Sequence, residues 1–230
     1  MNGPGSRGRG GAALLVGLVL TLAPLGASAR AAEAPDPALA GRLEPGVAAE
    51  VTRAVRAARA AGLPDEPLIS TALEGASRGA TPDRIVRAVR RLAGELERAR
   101  AALGGRSRPE EIVAGASALR AGIATATLGQ LRALRPAESV VVPLVVYGDF
   151  VVRRVPPERA ASAVLDLTRA GARDEDLIRL RERVAQDIGA GATPVDAVAL
   201  RTRGATLELA ARQGATPASG GSGPGAARVP

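Results

Sequence analysis

Residues 79–103 read GATPDRIVRAVRRLAGELERARAAL, and this stretch decides the fold class. Its apolar residues recur at intervals of four and three, and they are Ile85, Val89, Leu92, Leu96, Ala99 and Leu103. This spacing places them on one face of an α-helix. Thr81-Pro82 signals the start of that helix, because Pro fits the first helical position, and Gly104 signals its end. The stretch therefore predicts a long amphipathic helix that needs partners for its apolar face.

The rest of the region from residue 45 to residue 213 carries similar spacing and similar start and stop residues. The spacing predicts further helices over 47–61, 66–78, 108–121, 126–134, 157–170, 174–190 and from 194 onward. Ser107 and Glu110 have the spacing of a capping box, and Asp174 is the expected cap of a later helix. We expect the last helix to be interrupted or to end near Gly204, because Gly weakens a helix interior.

Residues 139–154, SVVVPLVVYGDFVVRR, allow two interpretations. Their high Val content favours a β-hairpin. Their place in the internal repeat described next favours a helix, and we adopt that interpretation. Such a helix would be apolar on all sides, so we expect it to be the most buried helix of the protein.

An internal repeat links the helices. Residues 78–89 (RGATPDRIVRAV) align without gaps to residues 153–164 (RRVPPERAASAV), and GATP recurs at Gly79, Gly191 and Gly214. The equivalent turns fall at positions 79, 122, 154 and 191. A lone helical hairpin cannot bury its apolar face, whereas stacked hairpins share a core. We therefore predict an all-α fold of irregular helical-hairpin repeats, either α-solenoid-like or a helical bundle. The alternative is that GATP is only a convenient turn between helices.

The two ends of the chain differ in composition from this helical domain of residues 45–213. Residues 1–29 combine two arginines, an uncharged apolar run and Ala27-Ser28-Ala29, the pattern of a secretory signal peptide cleaved after Ala29. The alternative is a retained membrane anchor, for which the apolar run is short. We expect residues 30–44 to be a flexible lead-in and residues 214–230, rich in Gly, Ser and Pro, to be a disordered tail. The mature protein is then exported, periplasmic or secreted, and has no transmembrane span.

The residue types that are missing exclude many chemistries. The 230-residue chain has no Cys, no His and no Lys, and its net charge of +8 depends on Arg alone. It therefore lacks a thiolate, an imidazole base, a Schiff-base lysine and the usual ligands of zinc, iron–sulfur clusters and haem. Carboxylates alone can hydrolyse a glycosidic bond, but Tyr147 and Phe150 are the only aromatic residues available to bind a sugar. We predict that the protein is not an enzyme and holds no metal or cofactor.

The strongest local feature is a cluster of arginines. Residues 78–108 contain nine Arg and only three acidic residues. Four of these arginines share one helix face and are Arg84, Arg87, Arg91 and Arg98. Such a face offers forked donors to phosphate or carboxylate. The alternative is a solvated helix face on which Glu95 pairs with its arginine neighbours Arg91 and Arg98. No aromatic residues interleave with the arginines, which argues against nucleic acid as a partner.

Two smaller features have structural interpretations beside functional ones. Tyr147, Asp149 and Phe150 form the only polar-aromatic cluster and could line a small pocket, although their apolar neighbours favour a role in the core. Asp149 is spaced to pair with Arg153 one helical turn later. The acidic triplet 174–176 lacks the alternating ligands and the Gly of a calcium loop and is better explained by helix capping.

Taken together, these features predict an exported helical protein. We expect it to be a non-enzymatic interaction or structural module of the bacterial cell envelope, whose partner is an unknown protein or an anionic envelope component. The alternative is an Arg-mediated binder of anionic envelope polymers or lipid headgroups.

Overall fold

Nine α-helices contain about three quarters of residues 36–214, the residues that the computed structural model describes. The helices are α1 (Pro45–Ala60), α2 (Glu66–Ser77), α3 (Pro82–Leu103), α4 (Pro109–Arg120), α5 (Thr125–Leu134), α6 (Val141–Val152), α7 (Pro157–Arg169), α8 (Asp174–Gly189) and α9 (Pro194–Gly214). Residues 36–214 contain no β-strand, so the predicted all-α fold class is confirmed. The predicted signal peptide and the predicted tail beyond Gly214 lie outside the described residues.

The helices alternate between two layers. Helices α1, α3, α5, α7 and α9 pack side by side in one layer, and α4, α6 and α8 do so in the other. Helix α2 packs against α1 and α3. The main contacts of every helix are with helices one or two places away in the chain, and one continuous apolar core includes residues from all nine. This is the architecture of stacked helical hairpins, in which each unit covers the apolar face of the next.

A recurring turn ends the helices. A left-handed residue follows α1, α2, α4, α6, α7 and α8, at Gly62, Gly79, Gly122, Arg154, Gly171 and Gly191. In each case the next N–H donates to the carbonyl five residues earlier, as Ala80 does to Gly75 and Val155 to Phe150. This is the Schellman motif. The four turns predicted to be equivalent, at 79, 122, 154 and 191, all join an even-numbered helix to the following odd-numbered one. They therefore define four hairpins, α2–α3, α4–α5, α6–α7 and α8–α9.

The Val-rich segment is helix α6, as its place in the repeat predicts, and not a β-hairpin. Tyr147 and Phe150 are fully buried in the core, and this burial outweighs the preference of Val for strands. The helix is not buried on all sides, however. Val145 is 48% exposed and Val152 is 83% exposed, because α6 packs on α4, α7 and α8 but leaves its remaining surface to solvent.

Two predicted caps are displaced along the chain. The N-cap of α4 is Arg108, whose backbone N–H donates to the Glu111 carboxylate at 2.9 Å, while the Ser107 hydroxyl donates to the Gly104 carbonyl. In α8 the acid that accepts a bond from the N-cap N–H, that of Arg173, is Asp176. Asp174 is the first helical residue. In each helix the N-cap lies one residue from its predicted position, so a different acid reaches the N-cap N–H.

The described part of the lead-in differs from the flexible segment that its composition predicts. Residues 36–44 form a turn that packs on α1. Leu39 is fully buried in the core, and the Asp36 N–H donates to the Thr52 hydroxyl at 2.8 Å. Asp36 also pairs with Arg59 of α1 at 3.1 Å, so an apolar side chain, a hydrogen bond and an ion pair hold this short segment on α1.

The last helix is longer than predicted. Helix α9 continues through Gly204 and ends at Gly214, the residue assigned to the start of the tail. A Gly in a helix interior costs about 1 kcal/mol relative to Ala. Burial of Val198 before this Gly and of Leu209 after it offsets that cost.

Candidate anion-binding site

Helix α3 presents its arginines to solvent because its apolar residues are held in the core. Ile85, Val89 and Leu92 are buried, whereas Arg84, Arg87 and Arg91 are exposed. Residues three, four and seven apart lie on the same side of a helix, and a separation of seven residues corresponds to about 10 Å along the axis. The three guanidinium groups therefore extend from one short stretch of helix surface.

These three arginines line one shallow concavity of about 400 Å³ at the side of α3. Helix α2 contributes Thr71 to its wall, and helix α4 contributes Arg120. The remaining lining residues belong to α3 and are Ala88, Leu92 and Glu95. The structure thus brings together three of the four predicted arginines and adds a fourth from another helix. We call this group, Arg84, Arg87, Arg91 and Arg120, the arginine site.

Arg98 shares the same helix face but lies outside the concavity. It is two helical turns beyond Arg91, on the far side of Glu95, and is not among the lining residues. Its side chain is exposed. The predicted set of four arginines is therefore too long for one ligand-sized site.

The three α3 arginines of the site have free guanidinium groups with respect to residues 36–214. Arg84, Arg87 and Arg91 form no side-chain hydrogen bond or ion pair with any of those residues, whereas nearby Arg78 pairs with Glu74 at 2.6 Å and Arg90 with Glu50 at 2.5 Å. Arginines that serve a surface network are normally paired in this way. The unpaired donors of the site are available to an external anion.

The floor of the concavity holds one carboxylate, that of Glu95, which is only 4% exposed. Arg120 donates to its Oε2 from Nε at 3.0 Å and from Nη2 at 2.9 Å. The predicted pairs of Glu95 with Arg91 and Arg98 are therefore not formed, because α4 brings Arg120 over the buried carboxylate. Four arginines surround a single acid, and the site keeps a local excess of positive charge.

The second predicted site is not a pocket. Tyr147 and Phe150 are completely buried, and the Tyr147 hydroxyl donates to the Ala121 carbonyl at 3.2 Å. Burial, assisted by the negative charge of Glu158, raises the pKa of Tyr147 to about 12. Asp149 accepts a 2.7 Å hydrogen bond from Arg153, the pair that their spacing predicts. These residues belong to the core and to a surface ion pair.

The acidic triplet of α8 is likewise structural. Asp174 pairs with the buried Arg135 at 2.6 Å, and Asp176 pairs with Arg179 and Arg212. Within residues 36–214 no group of three or more acidic side chains is placed to hold a metal ion.

Two features of the arginine site could not be found along the sequence. Arg120 lies 25 positions after Glu95, and only the packing of α4 on α3 brings them together. Thr71 reaches the concavity from α2 for the same reason. The sequence does indicate why a basic residue stands at position 120: Arg120 ends α4, where the helix dipole favours a positive charge. It does not indicate that Arg120 faces Glu95.

No protein-family model, no curated protein and no solved structure matches this chain. Among residues 36–214, no helix is both long enough and apolar enough to span a bilayer.

Proposed function

We propose that the protein is a non-enzymatic interaction module of the bacterial cell envelope and that its arginine site binds an anionic envelope component. The stacked hairpins act as a rigid support, and no catalytic residue is assigned to them. One observation carries the proposal. Three arginines without partners among the described residues converge with Arg120 on a single concavity.

The chemistry of the site favours phosphate or carboxylate groups. A guanidinium offers a fork of N–H donors that matches the oxygens of either group. Such groups occur on lipid headgroups and on soluble envelope polymers alike. A site without aromatic residues has no platform for stacking nucleobases, which argues against nucleic acid as the partner.

Vesicle binding tests the proposal. The mature protein is titrated with phosphatidylcholine vesicles that contain or lack phosphatidylglycerol, at low and at high salt. Each arginine near an anionic surface contributes about 1 kcal/mol, so the triple variant Arg84→Glu/Arg87→Glu/Arg91→Glu should lose about a hundredfold in affinity. Binding of the native protein should weaken as salt is added.

A charge-matched control separates the site from the net charge. Arg42→Glu/Arg154→Glu/Arg181→Glu changes the total charge by the same amount with residues that line no part of the concavity. This variant should bind anionic vesicles nearly as well as the native protein. Equal losses in the two triple variants would contradict the proposal.

The source of the anion is decided by soluble competitors. Inorganic polyphosphate and poly-glutamate are added to protein already bound to vesicles. A polymer is the ligand if one of these competitors displaces the protein from vesicles and also binds it directly. The variant Arg84→Glu/Arg87→Glu/Arg91→Glu should then fail to bind that competitor. Binding to vesicles without displacement by either would assign it to headgroups at a membrane surface.

Export is tested at the N-terminus. If residues 1–29 are a signal peptide, protein recovered outside the cytoplasm should begin at Arg30. Exported material that retains Met1 would contradict cleavage.

A further inference from the structure

Helix α9 leaves large apolar side chains exposed. Val195 is 38% exposed, Leu200 is 62% exposed and Leu207 is 66% exposed. Val195 and Leu207 line a groove of about 660 Å³ between α9 and α7. Leu200 is not a lining residue but directly follows Ala199, which is one. Val195 and Leu207 are twelve residues apart, which corresponds to about 18 Å along the helix.

The floor of this groove consists of small side chains. Helix α7 contributes Ser162 and Ala163, and Ala170 follows directly after its end. Helix α9 contributes Val198, Ala199, Thr202 and Thr206. Small residues let another backbone approach closely, as they do where two helices pack together. These small residues therefore allow a further helix to pack closely against the groove.

The rim of the groove is basic. Arg159 and Arg203 are exposed and form no ion pair with any residue from 36 to 214. Arg169 is paired with Asp166 at 2.8 Å. Three arginines against one carboxylate leave an excess of positive charge beside an apolar floor.

We propose that the α7–α9 groove binds an amphipathic α-helix of a partner protein whose apolar face is bordered by acidic residues. The apolar residues of such a helix would contact Val195 and Leu207, and its acids would face Arg159 and Arg203. A helix satisfies its own backbone hydrogen bonds, so it can lie on this mainly apolar floor without leaving backbone N–H or C=O groups unpaired. This site is separate from the arginine site and does not depend on it.

A designed peptide tests the proposal directly. Its leucines repeat at i, i+3, i+7 and i+10, its flanking positions are Glu, and one apolar position is Trp. Because the protein contains no Trp, the emission of the peptide can be followed alone. The matched peptide carries Lys in place of Glu. We expect a blue shift on binding of the Glu peptide and at least about tenfold weaker binding of the Lys peptide.

Charge reversal at the rim should affect the two peptides in opposite directions, whereas polar residues in the groove should weaken both. Arg159→Glu/Arg203→Glu should weaken the Glu peptide by at least about tenfold and strengthen the Lys peptide. Val195→Asp/Leu207→Asp should weaken both peptides. The controls are Arg42→Glu/Arg106→Glu for charge and Val152→Asp for an exposed apolar residue elsewhere, and both should bind as the native protein does. Circular dichroism must show the native helix content in every variant.

Three results would overturn the proposal. The first is the absence of any spectral shift with the Glu peptide, and the second is an equal loss in the groove and control variants. The third is loss of binding in Arg84→Glu/Arg87→Glu/Arg91→Glu, which would place the peptide on the arginine site. Displacement of the bound peptide by palmitate at a one-to-one ratio would favour an acyl chain as occupant and would also contradict it.

Discussion

Glu111 and Asp176 occupy the third helical position of α4 and α8, and each holds a helix start in place. Glu111 is 2% exposed and accepts hydrogen bonds from the backbone N–H of Arg108 and of Val140 and from the Arg132 side chain. It therefore ties the start of α4 to α5 and to the start of α6. Three donors favour the charged form of this buried carboxylate.

Replacing this carboxylate by an amide should destabilise the protein. Glu111→Gln keeps the side-chain volume but removes the charge that faces Arg132, and we expect a loss of about 2 kcal/mol in the free energy of unfolding. Urea denaturation followed by circular dichroism measures it. The neighbouring Glu110 is exposed and has no side-chain partner among residues 36–214, so Glu110→Gln should change the stability very little. Equal changes in the free energy of unfolding would show that the contacts of Glu111 do not stabilise the protein.

Acid should weaken the same contacts. Burial alone would raise the pKa of Glu111, but the N–H groups of Arg108 and Val140 and the guanidinium of Arg132 outweigh it, so the pKa lies below its ordinary value of 4.5. A group with a lowered folded-state pKa contributes its full stability above the ordinary value and loses it as the pH falls through the folded value. We expect the stability to fall below about pH 4.5, and less steeply in Glu111→Gln. Parallel curves for the two proteins would contradict this assignment.

The sequence predicts ion pairs within one helix but not ion pairs between helices. Asp149 and Arg153 pair as their spacing predicts, because a helix places residues four apart side by side. The pairing of Glu95 with Arg120 depends on how α4 packs against α3, and nothing in the local sequence encodes that register.

One turn between helices has a strained backbone because a residue other than Gly occupies its left-handed position. Arg154 follows α6 with φ of 68°, and it is the one residue other than Gly with a positive φ among residues 36–214. Side chains with a Cβ are strained in this left-handed conformation by about 1–2 kcal/mol. The other five Schellman turns use Gly.

A glycine at this turn should therefore stabilise the protein. We expect Arg154→Gly to raise the free energy of unfolding by about 0.5–1 kcal/mol, since relief of strain exceeds the added freedom of the unfolded chain. The reverse change at the equivalent turn, Gly79→Ala, should lower it by about 1 kcal/mol, because an added Cβ meets no atom there and only the backbone strain counts. Thermal denaturation of both variants tests the pair. Changes of the same sign would show that the turns are not equivalent.

The secondary structure of α6 could be predicted from the internal repeat but not from its composition. Its composition favours a strand, and only the position of the segment within the repeat indicates a helix. Burial of Phe150 and Tyr147 provides the energy that local propensity does not. The exposure of Val152 could not be foreseen, since it depends on which of its sides α6 turns toward its neighbours.

At the scale of the whole molecule, the core depends on the central hairpins. Phe150 is fully buried in α6, which packs on α4, α7 and α8. Phe150→Ala should lower the free energy of unfolding by about 3–5 kcal/mol, because it leaves a cavity among helices of both layers. Val152 lies in the same helix but is 83% exposed, and Val152→Ala should change the stability by less than about 0.5 kcal/mol. Denaturant titration of the two variants compares them, and a small effect of Phe150→Ala would mean that α6 is not central to the core.

The layered arrangement could be predicted only in outline. The turns at 79, 122, 154 and 191 predict hairpins, and hairpins with apolar faces must stack. The sequence does not predict which helices share a layer, because this depends on how the hairpins pack. In the structure, each of the four turns joins an even-numbered helix to the following odd-numbered one, so the turns are equivalent.

The restriction of contacts to helices one or two places apart has a consequence for the rate at which the chain finds its structure. Most native contacts join residues that are close in the sequence, so only short loops must close before these contacts form. The entropy lost in closing them is therefore small. A protein of such low contact order should refold quickly from urea, and folding can begin at any hairpin and spread to the adjoining ones.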